Sequence, residues 1–362
     1  MYLSLAASLR QSITTGEHQP GQMIASEHEL ARRENVSRVT VRRASELLIN
    51  EGLLERRPGK GLFVRSQAGQ PQTLMVQVIA GNLAWEPCLQ AARGVQTAAR
   101  AMGVQVQLHD AHGNEHEDLE LIRRLPDGPA NGAVIVALHS AAFVETLYGL
   151  KVRGFPFVLV DQRLRDLEVP SVMADNLDGG RQVGSHLLQL GHRRIAFIGD
   201  LESDTVQLRL AGLRDVMGDA GLPFDRALVV DVRPTDRLSS WTPHVLIHTH
   251  RLLALPHRPT AIFASCDAIA RDVYQAAAAV GLRVPGDLSV VGFDDDPLAG
   301  FLNPPLTTVH QPFNDMGKAA FALLHARLSD PDAPDAPDTP VAHRVLPIEL
   351  VARASTTAPE QP

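Results

Sequence analysis

Ser26-Glu27-His28-Glu29-Leu30-Ala31-Arg32-Arg33, a turn at Glu34-Asn35-Val36, and then Ser37-Arg38-Val39-Thr40-Val41-Arg42-Arg43-Ala44 decide the fold of the first part of the chain. Ser26 with Glu29 three positions on has the form of a capping box, which opens a short helix. Ser37 caps a second helix that should run to about Glu51 and stop at Gly52. Along this second helix Val41, Ala44 and Leu48 fall on one side, whereas Arg38 and Arg42, four apart, project together from another. The apolar side is free to pack and the arginines to face outward.

Working outward, Leu5, Leu9 and Ile13 repeat at four-residue spacing, which predicts an earlier helix from Ser4 to Thr15 ended by Gly16. Downstream, Leu53 to Arg57 and Leu62 to Arg65 flank Pro58-Gly59-Lys60-Gly61, a two-stranded wing with a basic, glycine-bearing tip. An arginine fork matches the O6 and N7 edge of guanine and also binds phosphate, so Arg38, Arg42 and the neighbouring Arg43 suit a nucleic acid. Helix starts such as those after Ser26 and Ser37 add free N–H groups for a phosphate. Taken singly, each piece reads equally well as a solvated face. Charge division supports the joint reading: residues 1–65 carry a formal +3 and the remainder −10, within an overall −7.

This segment resembles the winged-helix domain of the gluconate-repressor (GntR) family. The likeness rests on Gly16-Glu17-His18-Gln19-Pro20-Gly21, on Ser26 to Ala31, on Val36 to Ala44, on Glu51-Gly52-Leu53-Leu54 and on Gly59-Lys60-Gly61-Leu62-Phe63-Val64. It implies DNA contacts at Arg38, Thr40 and Arg42 in the recognition helix and at Gly59, Lys60 and Gly61 in the wing. His28 stands where the family often has arginine, and Val39 where it often has threonine. Both departures bear on which bases are read.

Ser66 to Gln72 lacks apolar periodicity and reads as a linker, spanning 66–73. Beyond it, short apolar runs at Leu74–Ala80, Gln105–Leu108, Ala133–Ala137, Phe157–Val160, Ile195–Ile198, Ala261–Phe263 and Ser289–Gly292 look like buried parallel strands. Stretches of helical length such as Leu177–Leu190 and Phe313–Leu328 lie between them, and the alternation predicts doubly wound α/β layers. In such layers ligands sit beyond the carboxyl ends of the strands, where Val160-Asp161-Gln162-Arg163 and Gly292-Phe293-Asp294-Asp295 follow. Carboxylates and an arginine suit the hydroxyls of a sugar, and an aromatic face suits its C–H surface. Any one of these carboxylates taken alone reads first as a cap or a solvated loop residue.

From about Leu74 to Ala354 the chain resembles the effector domain of the lactose-repressor (LacI) family, a two-lobed fold akin to periplasmic sugar-binding proteins. Gly191 to Gly199, Arg209-Leu210-Ala211-Gly212-Leu213, Arg258 to Ala264, Val284 to Asp295 and Pro304 to Val309 carry the likeness. It implies ligand contacts at Asp161, Arg209, Asp294 and Phe313, with Trp241 near the place of a stacking aromatic. Cys266 replaces a common asparagine, leaving Ser265-Cys266-Asp267. Asn82-Leu83-Ala84-Trp85 replaces Asn-Pro-Phe-Phe, so Trp85 alters the first lobe's side of the cleft. A grouping of His244, His248, His250 and His257 reads as polar surface in a loop-helix region rather than a metal site, and no cofactor is called for.

The expected architecture is therefore α/β: an N-terminal winged helix-turn-helix at 1–65 and a two-lobed, periplasmic-binding-protein-like domain of doubly wound parallel sheets at 74–358. With 362 residues of which 44% are hydrophobic, two domains are the default. Asp330 to Asp338 reads as an acidic, proline-rich loop. Two cysteines, Cys88 and Cys266, exclude a disulfide framework. No charged segment followed by an apolar run opens the sequence and no stretch approaches a membrane span, so the cytoplasm is the expected address. A winged helix of the first family on an effector domain of the second is the arrangement of bacterial arabinose repressors. It implies a non-enzymatic regulator, homodimeric through the effector domain, that binds double-stranded operator DNA and is released by a small carbohydrate. The same fold would serve an activator or a co-repressor-dependent repressor. A transport receptor leaves the DNA-binding head without a role, and a glycoside-processing enzyme would need Asp161 and Asp294 as an acid/base pair.

Overall fold

The computed structural model describes residues 2–15, 17–57, 61–64, 74–110, 114–136, 142–164, 167–233, 241–329 and 342–360. The wing tip Pro58-Gly59-Lys60, the expected linker at 66–73 and the acidic loop at 330–338 lie outside the described residues. The chain divides into two compact units, Met1–Thr73 and Leu74–Pro362.

In the first unit, α1 (Tyr2–Thr14) is followed by β1 (Met23–Ala25), α2 (Glu27–Arg33), α3 (Arg38–Asn50), β2 (Leu54–Arg57) and β3 (Gly61–Val64). Helix α1 starts two residues before the sequence suggests. The capping box is complete: Ser26 Oγ accepts from the Glu29 N–H at 3.2 Å, and the Glu29 carboxylate accepts from the Ser26 N–H at 2.9 Å. Strands β2 and β3 form the wing hairpin, and β1, which the sequence did not announce, adds antiparallel to β3. Leu5 and Leu9 of α1, Leu30 of α2, Val41, Ala44 and Leu48 of α3, and Leu54, Leu62 and Val64 of the hairpin make one buried cluster. That cluster turns the opposite side of α3 to solvent.

The second unit runs β4 (Met75–Ala80), α4 (Glu86–Ala101), β5 (Gln105–Asp110), α5 (Glu115–Arg124), β6 (Gly132–Val136), α6 (Ala142–Val152), β7 (Phe157–Val160), β8 (Ser171–Ala174) and α7 (Asn176–Gln189). It continues through β9 (Ile195–Gly199), α8 (Asp204–Asp219), β10 (Val229–Asp231), α9 (Thr242–Leu253), β11 (Ala261–Ala264), α10 (Asp267–Ala279), β12 (Ser289–Val291) and β13 (Thr308–His310). Then come α11 (Phe313–Ser329), β14 (His343–Leu346) and β15 (Glu349–Val351). One lobe is built on a parallel six-stranded sheet of order β14-β8-β7-β6-β4-β5, the other on a parallel four-stranded sheet of order β10-β9-β11-β12. Buried strands such as β6 and β7 read as unbroken apolar runs because both faces of each sheet are covered. Helices α4 and α11 cover one face of the first sheet, and α5 and α6 cluster on the other. In the second lobe α7 and α8 lie on one face, α9 and α10 on the other.

The chain passes from the first sheet to the second after β8, returns between β13 and α11, and crosses again between β14 and β15. The antiparallel pair of β13 with β15 lies at these crossings. The segment holding the four histidines is a helix followed by a turn, as read: His244, His248 and His250 lie on α9, with Pro243 in its first turn, and His257 in the turn after it. Among the described residues no group of three or more His, Cys, Asp or Glu side chains is placed to hold a metal ion. No described helix is long and apolar enough to cross a membrane.

Candidate nucleic-acid interface and effector cleft

In the winged unit the side chain of Ser37 caps α3 by accepting from the Thr40 N–H at 3.2 Å, and its oxygen lies 2.9 Å from the Thr40 hydroxyl. The cap fixes the first turn, where Arg38 and Val39 are exposed and Thr40 is half-buried; Arg42 and Arg43 are exposed one turn on. Arg42 donates to Glu46 one turn further on at 3.1 Å. In the hairpin Arg57 stacks 4.4 Å over the Phe63 ring, and Gly61 takes a φ of 118° where a side chain would be strained and would meet Met23. Behind α3, Arg10 clamps Glu51 with two guanidinium nitrogens at 2.7–3.0 Å, tying α1 to the end of the helix. His28 is exposed on α2, and Ser26 is engaged in its own cap.

In the second unit the loops at the carboxyl ends of β7 and β12 carry Asp161 and Asp294, both at positive φ, 57° and 116°, as is Asp295 at 57°. Strained backbone of this kind persists only where surrounding structure holds it. Arg209 on α8 is 4% exposed. Its Nε donates to Asn176 Oδ1 at 2.8 Å, its Nη1 donates to the Ser265 carbonyl at 2.5 Å and lies 3.7 Å from Asp294 Oδ1. The guanidinium lies over Phe293, its Cζ 3.8 Å from the ring centroid. Its placement depends on Gly180: a β-carbon there would fall on the Arg209 carbonyl, so α7 and α8 approach this closely only around a glycine.

Gln311, at a crossing between lobes, donates to Asp294 Oδ1 at 2.7 Å. Two buried acceptors, Asp161 Oδ1 and Gln311 Oε1, have no hydrogen-bond partner among the described residues. Burial raises the Asp161 carboxyl to about 6 against the pull of Arg209. Burial likewise raises Asp294 to about 7, Arg209 opposing the rise and Asp161 adding to it. Asp267, beneath the loop, accepts from Thr308 Oγ1 at 2.6 Å and from the Asp296 N–H at 2.8 Å, and burial pushes its pKa well up. It holds the 294–296 loop in place. Cys266 precedes α10 with its thiol raised to about 12 by burial, so it stays a neutral sulfhydryl.

Trp85 and Trp241, the only two tryptophans in the sequence, meet from opposite lobes with ring centroids 5.2 Å apart and planes at 44°. The first sits at the start of α4 and is 42% exposed; the second starts α9 and packs on the second lobe's core. Two carboxylates, one guanidinium and buried acceptors without donors are equipped to hold hydroxyl groups, and the two indoles, where the lobes meet, offer ring faces to C–H surface.

Residues 1–64 match the model of bacterial regulatory proteins of the gntR family, and residues 185–356 match the periplasmic binding protein-like domain. The ribose operon repressor of Escherichia coli is 31% identical over 242 residues, 66% of this chain and 71% of that protein. The chain belongs to this family of transcriptional regulators. A second relative of the regulator, the arabinose metabolism transcriptional repressor of Geobacillus stearothermophilus, is 28% identical over 332 residues, 89% of this chain and 90% of that one. The crystal structure of a LacI family transcriptional regulator from Mycobacterium smegmatis has 28% identity and a TM-score of 0.67, covering 78% of this chain and 99% of that one. The regulator thus joins a DNA-binding head of one kind to an effector-type domain of another.

Of the residues nominated for the regulator's sites, Arg38, Val39, Arg42 and Arg43 share the outward side of α3, with Ser37 and Thr40 forming its cap. Gly59 and Lys60 lie outside the described residues. Asp161, Arg209, Asp294 and Cys266 converge electrostatically at the cleft. Trp85 and Trp241 meet each other. Phe313 begins α11, is 6% exposed and belongs to the first lobe's buried cluster with Val160 and Phe321, a burial comparable to that of Arg209 and Asp161. Sequence reasoning did not find Asn176, Phe293 or Gln311. Phe293 was quoted within its motif, and its support of Arg209 could have been suspected from that adjacency.

Proposed function

We propose that the regulator is a repressor whose winged helix holds operator DNA and whose cleft takes a small, uncharged carbohydrate that lowers DNA affinity. The carrying observation is the pair of buried acceptors without donors among the described residues, Asp161 Oδ1 and Gln311 Oε1, beside a buried Arg209. Hydroxyl groups supply the donors those oxygens lack, and a single guanidinium against two carboxylates leaves no surplus positive charge for a phosphate. The two relatives, named for arabinose metabolism and the ribose operon, support a monosaccharide-sized ligand.

The regulator acts as a homodimer through its effector unit, in the cytoplasm, placing two copies of α3 in successive major grooves of a pseudo-palindromic site. Ligand binding closes the lobes and redistributes the DNA-binding heads. The regulator is not an enzyme: Asp161 and Asp294 bind hydroxyls rather than act as acid and base. A thermal-shift screen of pentoses, hexoses and their phosphates is the test, followed by product analysis of each hit. An uncharged sugar should raise the melting temperature unchanged in chemistry, and its phosphate ester should not. Stabilisation by phosphates alone, or conversion of the sugar, would overturn the proposal.

A further inference from the structure

We infer that Val39 reads the 5-methyl group of a thymine, and that Thr40, the residue nominated from the family pattern, does not read bases. The inference rests on the proposed entry of α3 into the major groove. At about 100° per residue, Arg38, Arg42, Glu46, Val39 and Arg43 share one arc of about 140°, opposite Val41, Ala44 and Leu48. The buried side is the one that packs in the winged unit's core, so this arc is the one α3 offers to a partner.

Among the described residues of this arc Val39 is the one exposed large apolar side chain, at 64%; Ile49, the other apolar residue on it, is half-buried against the unit's core. Nothing in the stability of the unit accounts for Val39. A β-branched residue is a weaker helix former than alanine, and an exposed one gains no packing in return. Thr40 offers the only hydroxyl next to it, and that oxygen is held 2.9 Å from Ser37 Oγ while the Thr40 N–H completes the cap. A threonine used in this way is turned toward its own helix terminus. What remains to meet base edges in the first turn is a guanidinium at Arg38 and two methyl groups at Val39. The major-groove feature that an aliphatic side chain recognises is the thymine methyl, and the arginines on either side meet phosphates or guanine edges.

The test uses the full chain and a random duplex pool, from which bound sequences are selected and a consensus drawn. Each thymine of that consensus is then replaced by deoxyuridine, which keeps every hydrogen-bonding edge and lacks only the methyl. One thymine per half-site should weaken binding about fourfold when it becomes uracil, the worth of one buried methyl-sized group. In Val39→Ala that sensitivity should disappear at that position alone, and in Val39→Thr, which keeps one methyl, it should persist in part. Binding to unrelated duplex should stay the same in both variants, because the exposed position leaves folding and the arginines intact.

No uracil effect in the wild-type protein, or an undiminished one in Val39→Ala, overturns the inference while leaving the DNA-binding reading in place. Failure to select any consensus overturns the DNA-binding reading itself.

Discussion

Replacing Asp161 by asparagine removes a charge and keeps the shape of the side chain. Burial raises this carboxyl from 3.8 to about 6, so the folded protein holds its proton more tightly than the unfolded chain does. Below pH 3.8 both states are protonated and the group is neutral toward stability. As pH rises from there to about 6 the unfolded state loses its proton first, and stability falls until both states are ionised. At about 1.36 kcal/mol per pKa unit, the ionised carboxylate costs the wild-type fold about 3 kcal/mol at pH 8 and about half of that at pH 5. Asp161→Asn escapes that cost, less what its own amide requires for a partner.

The variant should therefore be more stable than wild type by an amount that grows by about 1–2 kcal/mol between pH 5 and pH 8. Urea unfolding followed by tryptophan fluorescence measures this cleanly, because both tryptophans, Trp85 and Trp241, lie in the effector unit. The same variant should lose effector affinity. A stability difference that does not change with pH, or that shrinks as pH rises, would refute the assignment of Asp161 as a buried, uncompensated carboxylate.

Hydroxyl donors from a ligand favour the ionised forms of Asp161 and Asp294 and so lower their pKa values from about 6 and about 7. Binding should then release protons and strengthen as pH rises from 5.5 to 7.5 (roughly, the window these values set) by up to about tenfold per pH unit for each proton coupled; calorimetry in buffers of different ionisation enthalpy counts them. Gly180→Ala should destabilise the effector unit by about 1–3 kcal/mol and weaken effector binding, since the added β-carbon displaces the Arg209 backbone. Ser37→Ala should cost about 1 kcal/mol at the start of α3, seen as about fivefold faster amide exchange in its first turn, with the tryptophan-reported stability of the other unit unchanged.

The winged helix was legible because its boundaries are written in local chemistry: Ser26 with Glu29, Ser37, and Gly52 act on their own neighbours. Strand β1 was not, since three residues with one buried side chain, Ile24, carry no periodicity. Most central strands of both lobes announce themselves as apolar runs, but β8, four residues beginning with a serine, was not read although it is fully buried. Strands β10, β13 and β15 are three residues each, and β14 follows the acidic proline-rich segment, so only tertiary pairing defines them. In the cleft, charged residues at strand ends were visible as candidates. Asn176 and Gln311 were not, because a buried amide earns its role only from what the lobe crossings bring beside it.

The account's central claim is that the cleft and the DNA-binding head are coupled. The direct measurement is the affinity of the identified sugar for the full-length regulator, determined with and without a saturating selected duplex, beside the affinity for that duplex with and without sugar. The account predicts that each ligand weakens the other by the same factor, of about 5–150 for a typical coupling free energy. Equal sugar affinity in the presence and absence of DNA would contradict it.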